Sequence, residues 1–499
     1  MRFKSRIFFV ILSLLVILNC LGGGESKPFY LNLAVLLDGP LSDLKYPIPS
    51  LQYTRYVSIP TIRPSITGRY SISPSLPSGI TLDPDTGVLS GIPTEPLPAT
   101  EFTITASNSK NSIQTKIVFQ SSTGIWQNAA YIKATNGDIA DYFGNTLAID
   151  GDTLVVAAYL ESSSETTITN GSTASADNGA DSSGAVYVYR RNGASWTQEA
   201  YIKAPNAEAY DYFGYSLAIS GDTLVVGAYL ESSNETTITN GTTASADNSA
   251  GASGAVYVFR RSGTTWAQEA YLKASNAEAG DLYGYSVAID GDTIAVGANG
   301  ESSNQITITN GSTANADNSK SESGAVYVYK RTGTIWAQEA YAKANNAAVG
   351  NWLGYSVAIS GNTIVSGATG ESEGAAYVFV RNGTTWTQQR ILKPVNPGSV
   401  NEFGNSLSIS GNTIVVGSYW EKSNDDQIRN GITASTNNSL QSAGAAYVYR
   451  RTGTTWAQES YLKAKNVQTG DWFGMGIAIS GDPIVAGAPQ EDCGQREIT

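Results

Sequence analysis

The stretch Asp211-Tyr212-Phe213-Gly214-Tyr215-Ser216-Leu217-Ala218-Ile219-Ser220-Gly221-Asp222-Thr223-Leu224-Val225-Val226-Gly227-Ala228 carries the information that sets the fold. Ser216–Ile219 and Leu224–Ala228 are short apolar runs, and Ser220-Gly221 between them is a tight-turn pair, so the segment reads as a β-hairpin. Further on, Ala255–Phe259 and Trp266–Lys273 read as a third and a fourth strand. None of these runs has the 3.6-residue period of an amphipathic helix.

The same pattern recurs. Trp126, Trp196, Trp266, Trp336, Trp386 and Trp456 are spaced 70, 70, 70, 50 and 70 residues apart, so a 50-residue unit carries an optional 20-residue insert. Phe143-Gly144, Phe213-Gly214, Tyr283-Gly284, Leu353-Gly354, Phe403-Gly404 and Phe473-Gly474 keep the same spacing. Four short strands repeated at this period signal propeller blades or solenoid coils. The expectation for residues 124–499 is an all-β propeller of six four-stranded blades, with seven left open. Strand four at Trp126 to Ala134 is expected to complete the last blade and close the ring.

The last repeat joins Phe473-Gly474 to Gly487-Ala488-Pro489, and this pair of motifs resembles the FG-GAP repeat, the blade of the integrin-α propeller. The resemblance covers about three-quarters of the chain and implies ligand contacts on one face. Family members often carry a calcium loop of the Asp-x-Asp-x-Asp-Gly type between the two motifs. Here it has shrunk to Asp150-Gly151-Asp152 or Ser220-Gly221-Asp222, too few oxygens for a calcium site of about six to eight ligands. No metal and no cofactor are therefore expected.

Ahead of the repeats, Arg2, Lys4 and Arg6 precede an uncharged apolar run, Ile7 to Leu18, too short for a comfortable membrane span. Ile17-Leu18-Asn19-Cys20 resembles a bacterial lipobox, although Asn19 departs from the usual small residue. That resemblance implies a leader over 1–20, lipid on Cys20, and a lipid-anchored protein at the bacterial outer membrane or cell surface. Residues 21–44 read as a tether. Residues 45–120 read as a small Ig-like β-sandwich, and Leu76 to Thr94 within it resembles the cadherin-like, Ig-type domains of bacterial surface proteins. Asp83 and Asp85 there read as turn formers in preference to calcium ligands.

Composition excludes much. The chain has no histidine, which removes Ser-His-Asp and Cys-His sites and His-ligated zinc. A formal charge of −12, made more acidic by loss of the basic leader, argues against nucleic acid or bare anionic lipid as partner. Cys20 and Cys493 are the only cysteines, so a lipidated Cys20 leaves Cys493 as a lone thiol.

Because antiparallel strands alternate direction, the loops after strands two and four emerge on one face. Four inserts with Asn-Gly turns at Asn170, Asn240, Asn310 and Asn430 are expected to form hairpins crowding that face, joined by Asp141, Asp211, Asp281, Asn351, Asn401 and Asp471. Glu161, Glu231, Glu301, Glu371, Glu421 and Glu491 recur just after strand two, and their repetition favours a structural role over a catalytic one. The strand-four tryptophans, with Tyr201, Tyr271, Tyr341 and Tyr461, are expected to pack between blades. The leading reading is a non-enzymatic surface protein that binds or adheres to host or matrix proteins or glycans. The alternatives are a carbohydrate-active lyase or glycosidase and an envelope scaffold without a small ligand. Fold resemblance alone names no ligand.

Overall fold

A computed structural model describes residues 41–492, apart from 42, 48–49, 55–57, 95–96, 123–129, 194 and 398–401. The leader, Cys20, most of the tether and Cys493 lie outside the described residues. Every regular element described is a strand, and the chain divides into two compact units, Met1–Asn128 and Ala129–Thr499.

In the first unit, Ser50–Thr54, Ser112–Ser122, Thr100–Ser107 and Arg69–Ser73 form one sheet in that order, the first pair parallel. A hairpin of Ile80–Leu82 and Leu89–Gly91 accompanies it, packing Leu89 into a core with Phe102, Ile104 and Phe119. Asp83 serves its turn: its Oδ1 accepts the main-chain N–H groups of Asp85 and Thr86 at 2.9 and 2.8 Å.

In the second unit each repeat builds one sheet. Blade one runs Thr146–Asp150, Thr153–Ala158, Ala185–Asn192 and Ser195–Ile202, hydrogen-bonded in that order. Blades two to five follow the same plan, with fourth strands at Thr265–Leu272, Ile335–Ala342, Thr385–Leu392 and Thr455–Leu462. Blade six is described for Gly476–Ile479 and Ile484–Gly487. The hydrophobic clusters straddle neighbours: Val258 and Ala270 of blade two meet Ile294, Tyr329 and Trp336 of blade three. Inner strands converge so closely that a Cβ on Gly227 would lie 2.2 Å from the Gly284 carbonyl oxygen, which is why this position carries no side chain. Sheets packed face to face and converging at their first strands make the β-propeller.

Two expectations need correction. Of the strand expected from Trp126 to Ala134, Trp126 to Ala129 lie outside the described residues, and Ala130 to Ala134 form no strand. On the first strand of blade one, Leu147 and Ile149 are 60% and 58% exposed where Val287 and Ile289 of blade three are 8% and 9%. The inserts are not free hairpins either. Ile168–Asn170 pairs antiparallel with Ser195–Ile202 as a fifth, outermost strand of blade one, and Thr239–Asn240, Ile308–Asn310 and Arg429–Asn430 do the same on blades two, three and five. The exposed edge of strand four outcompetes the second arm of the hairpin as pairing partner.

Candidate functional site

The recurrent glutamate sits at the centre of a buried network. In blade two, Glu231 Oε2 accepts from Lys273 Nζ at 2.9 Å, while Oε1 accepts from Tyr271 Oη at 2.9 Å and Asn206 Nδ2 at 3.1 Å. Lys273 Nζ also donates to Ser253 Oγ and to the carbonyls of Ser233 and Gly254 at 2.7–2.9 Å. Burial pushes the Lys273 amine down, and the Glu231 carboxylate beside it opposes that shift. Glu161–Lys203, Glu301–Lys343 and Glu421–Lys463 repeat the pair with both side chains at most 2% exposed. Every strong donor and acceptor there has a partner inside the blade, as buried charge requires, so the network is built for structure. Tyr201, Tyr271, Tyr341 and Tyr461 are buried in the same way, as are Trp266, Trp336, Trp386 and Trp456. The sequence reading missed the lysines; a Lys at fixed period ending an apolar strand was the available signal.

The expected acidic rim is turned inward. Asp141, Asp211, Asp281, Asn351 and Asp471 are 1–7% exposed, and Asn401 lies outside the described residues. Each described Asp accepts a main-chain N–H three residues upstream; Asp211 Oδ2 takes that of Glu208 at 2.9 Å. Burial raises the Asp141 carboxyl and pushes those of Asp211 and Asp281 up to about 7.

The insert asparagines hold blades together. Asn170 Oδ1 accepts the Trp266 main-chain N–H at 2.7 Å and its Nδ2 donates to the Trp266 carbonyl at 3.2 Å. Asn240 clips Trp336 and Asn310 clips Trp386 alike, while Asn430 accepts from Ser460 Oγ of its own blade. Glu199 reinforces the first junction, receiving both Arg261 and Trp266 Nε1 at 2.6–2.9 Å. Of the side chains expected to meet a ligand, Asp141, Asp211, Asp281 and Asp471 are thus turned inward, and Asn170, Asn240 and Asn310, though exposed, bond to the next blade.

What the loops do present is aromatic. Around Asp211 and Phe213 the backbone is left-handed at Tyr210, Tyr212 and Gly214, with φ of +69, +56 and +93°. This winding sends Asp211 and Phe213 inward and Tyr212 outward. The equivalents Tyr142, Trp352 and Trp472 are also left-handed, at +55, +58 and +61°, as are Leu282 and Glu402. Bulky residues rarely adopt that region, which costs about 1–3 kcal/mol and marks places where strain is kept for a reason. Around them runs a chain of ring contacts: Tyr142–Tyr159, Tyr159–Tyr212, Tyr215–Tyr229, Tyr215–Tyr285 and Tyr285–Tyr355, at centroid separations of 5.8, 5.4, 4.4, 5.2 and 5.2 Å. A second run joins Trp420, Tyr419 and Trp472. Tyr142 is 55% exposed and most of the others are half-buried, so these rings are available to a ligand. The sequence signal was the aromatic recurring before Phe-Gly on a loop, a place where no core needs one.

Among the described residues no three Asp, Glu or Cys side chains gather as metal ligands. In the shortened loops, Asp152 and Asp292 pair with Arg191 and Arg331.

These repeated loops have counterparts in known sequences. The FG-GAP repeat model matches residues 126–189, 196–259, 266–329, 336–379, 386–449 and 456–497. The chain belongs to the FG-GAP repeat family. Ahead of the FG-GAP repeats, the model described as Putative Ig domain matches residues 39–122. No curated protein matches this chain. Similar solved structures include TolB from Acinetobacter baumannii, at 9% identity over 75% of this chain and 79% of that one, with a TM-score of 0.29. A Quinonprotein alcohol dehydrogenase-like protein from Bacteroides thetaiotaomicron follows at 10% identity, 83% and 95% coverage and a TM-score of 0.23. Scores this low carry no argument about function.

Proposed function

We propose that this FG-GAP repeat protein is a lipid-anchored, non-enzymatic surface protein that binds or adheres to host or matrix proteins or glycans through the aromatic loops of its propeller. The observation that carries the reading is the strained, outward-facing aromatic held at one loop position in blades one, two, four and six. Aromatic rings offer large apolar area with a polar handle, the combination enriched where surfaces recognise other molecules. The Cys20 anchor is supported by the leader and lipobox residues, and several acyl chains there would hold the chain to a membrane stably.

Glycine substitution tests the site cleanly, because it keeps a left-handed backbone while removing the ring. A Tyr212→Gly, Trp352→Gly, Trp472→Gly variant, screened against matrix-protein and glycan arrays with and without chelator, should lose the binding of the parent while unfolding at a similar temperature. Undiminished binding would reject the site. A Cys20→Ala chain should leave the membrane fraction.

A further inference from the structure

Blade four differs from its neighbours at its outer edge. It carries no insert, so Thr385–Leu392 is the last strand of its sheet, where blades one, two, three and five have a fifth strand. The loss uncovers the strand. Arg390 is exposed and Ile391 half-buried where Ala200, Ala270 and Ala340, and Tyr201, Tyr271 and Tyr341, are at most 1% exposed. Gln388, whose counterparts Gln198, Gln268, Gln338 and Gln458 bond insert carbonyls, turns to Asn345. The next blade lacks its clip as well: among the described residues no asparagine amide reaches the Trp456 main chain, unlike Trp266, Trp336 and Trp386.

The edge is also electrically distinct. Gln389 replaces the glutamate of Glu199, Glu269, Glu339 and Glu459, and Arg390 replaces a small neutral residue, which makes the strand more positive in a chain of net charge −12. Arg390 makes no ion pair among the described residues. The strands that occupy this position on blades one, two and three come from Thr-rich inserts, while that of blade five carries Arg429; residues 163–183 of the blade-one insert carry Glu165, Asp177 and Asp181 and no Lys or Arg.

We propose that the outer edge of blade four is a strand-addition site for an extended, acidic, Thr-rich segment of a partner protein, bearing an Asn-Gly whose asparagine clips Trp456. The molecule itself shows the added strand on four other blades and the clip on three of them: the register would follow Thr169↔Tyr201, which places Thr opposite Ile391. Main-chain hydrogen bonds supply affinity in such additions, and alternate side chains with charge supply specificity. Among the described residues, an incoming strand displaces the exposed Asn345–Gln388 contact. The edge is separate from the aromatic loops, so either site stands or falls without the other.

A labelled peptide copying residues 163–175, titrated at low salt into the full chain, tests this. Saturable binding with new amide protection at Thr385–Leu392 and at Trp456, and at no other segment, is expected. Arg390→Glu in the protein, or Asp in place of the peptide's asparagine, should each weaken binding about tenfold. Absence of saturable binding, protection elsewhere, or indifference to both changes would overturn the proposal and leave Arg390 as a guard of a bare edge. Self-association of the chain alone through the same strand would assign the edge to a second copy and equally overturn it.

Discussion

The side-chain amide of Asn240 grips the main chain of Trp336, accepting its N–H at 2.7 Å and donating to its carbonyl at 3.1 Å. One amide thereby joins the insert of blade two to the fourth strand of blade three. Asn240→Ala should lower stability by about 1–3 kcal/mol, since it strands two partly buried main-chain groups. Asn240→Asp should cost no less, because a carboxylate cannot donate to the carbonyl. Asn430→Ala, whose side chain meets Ser460 Oγ and no other described residue, is the control and should shift the urea midpoint little.

Glu231 and Lys273 lie side by side in a dry interior. Removing one leaves the other charged and unpaired, so Glu231→Gln or Lys273→Met should cost about 3–5 kcal/mol, and the double variant less than the sum of the two. Chemical denaturation of the four chains of the cycle measures this.

Asp211 and Asp281 should make the propeller more stable in mild acid than in mild base. Burial raises each folded-state value from 3.8 to about 7, so between these limits the folded state binds more protons than the unfolded one. Their contribution is full below about pH 4 and disappears as pH rises through 7, on the order of 1–4 kcal/mol per site. Blade four already carries Asn351 at this position, so Asp211→Asn with Asp281→Asn should fold and flatten the profile. A melting temperature that rises from pH 5 to pH 8 in the parent would contradict the assignment.

The inner junctions should tolerate no side chain. Gly297→Ala would bring a Cβ to 2.0 Å from the Gly354 carbonyl oxygen, main chain that cannot step aside. A loss of about 3 kcal/mol or more is expected, seen as a lower melting temperature and poorer soluble yield.

Much of this was written in the period of the sequence. The Trp and Phe-Gly spacings set the order of blades, and the burial of Trp266, Trp336, Trp386 and Trp456 and of the strand-four Tyr follows from them. The functions of Asn170 and Asp211 were not legible. Asn170-Gly171 is a genuine turn signal, but the amide's partner, Trp266, lies 96 residues away on another blade. Asp211 reads as a polar loop residue, and only the left-handed turns at Tyr210 and Tyr212 reveal that it points inward. Those same turns decide that Tyr212, and not its acidic neighbour, faces outward. Local composition identifies such loops; long-range pairing decides which side of them meets solvent.

Hydrogen exchange at the inserts tests the central claim, that these Asn-Gly segments are fifth strands latching blade to blade. The amides of Gly171, Gly241 and Gly311 donate to the carbonyls of Glu199, Glu269 and Glu339 at 2.6–2.7 Å and should exchange slowly, together with those of Trp266, Trp336 and Trp386. Exchange at the rate of an unstructured peptide, with the tryptophan amides unprotected, would show the inserts to be solvated loops and contradict the account.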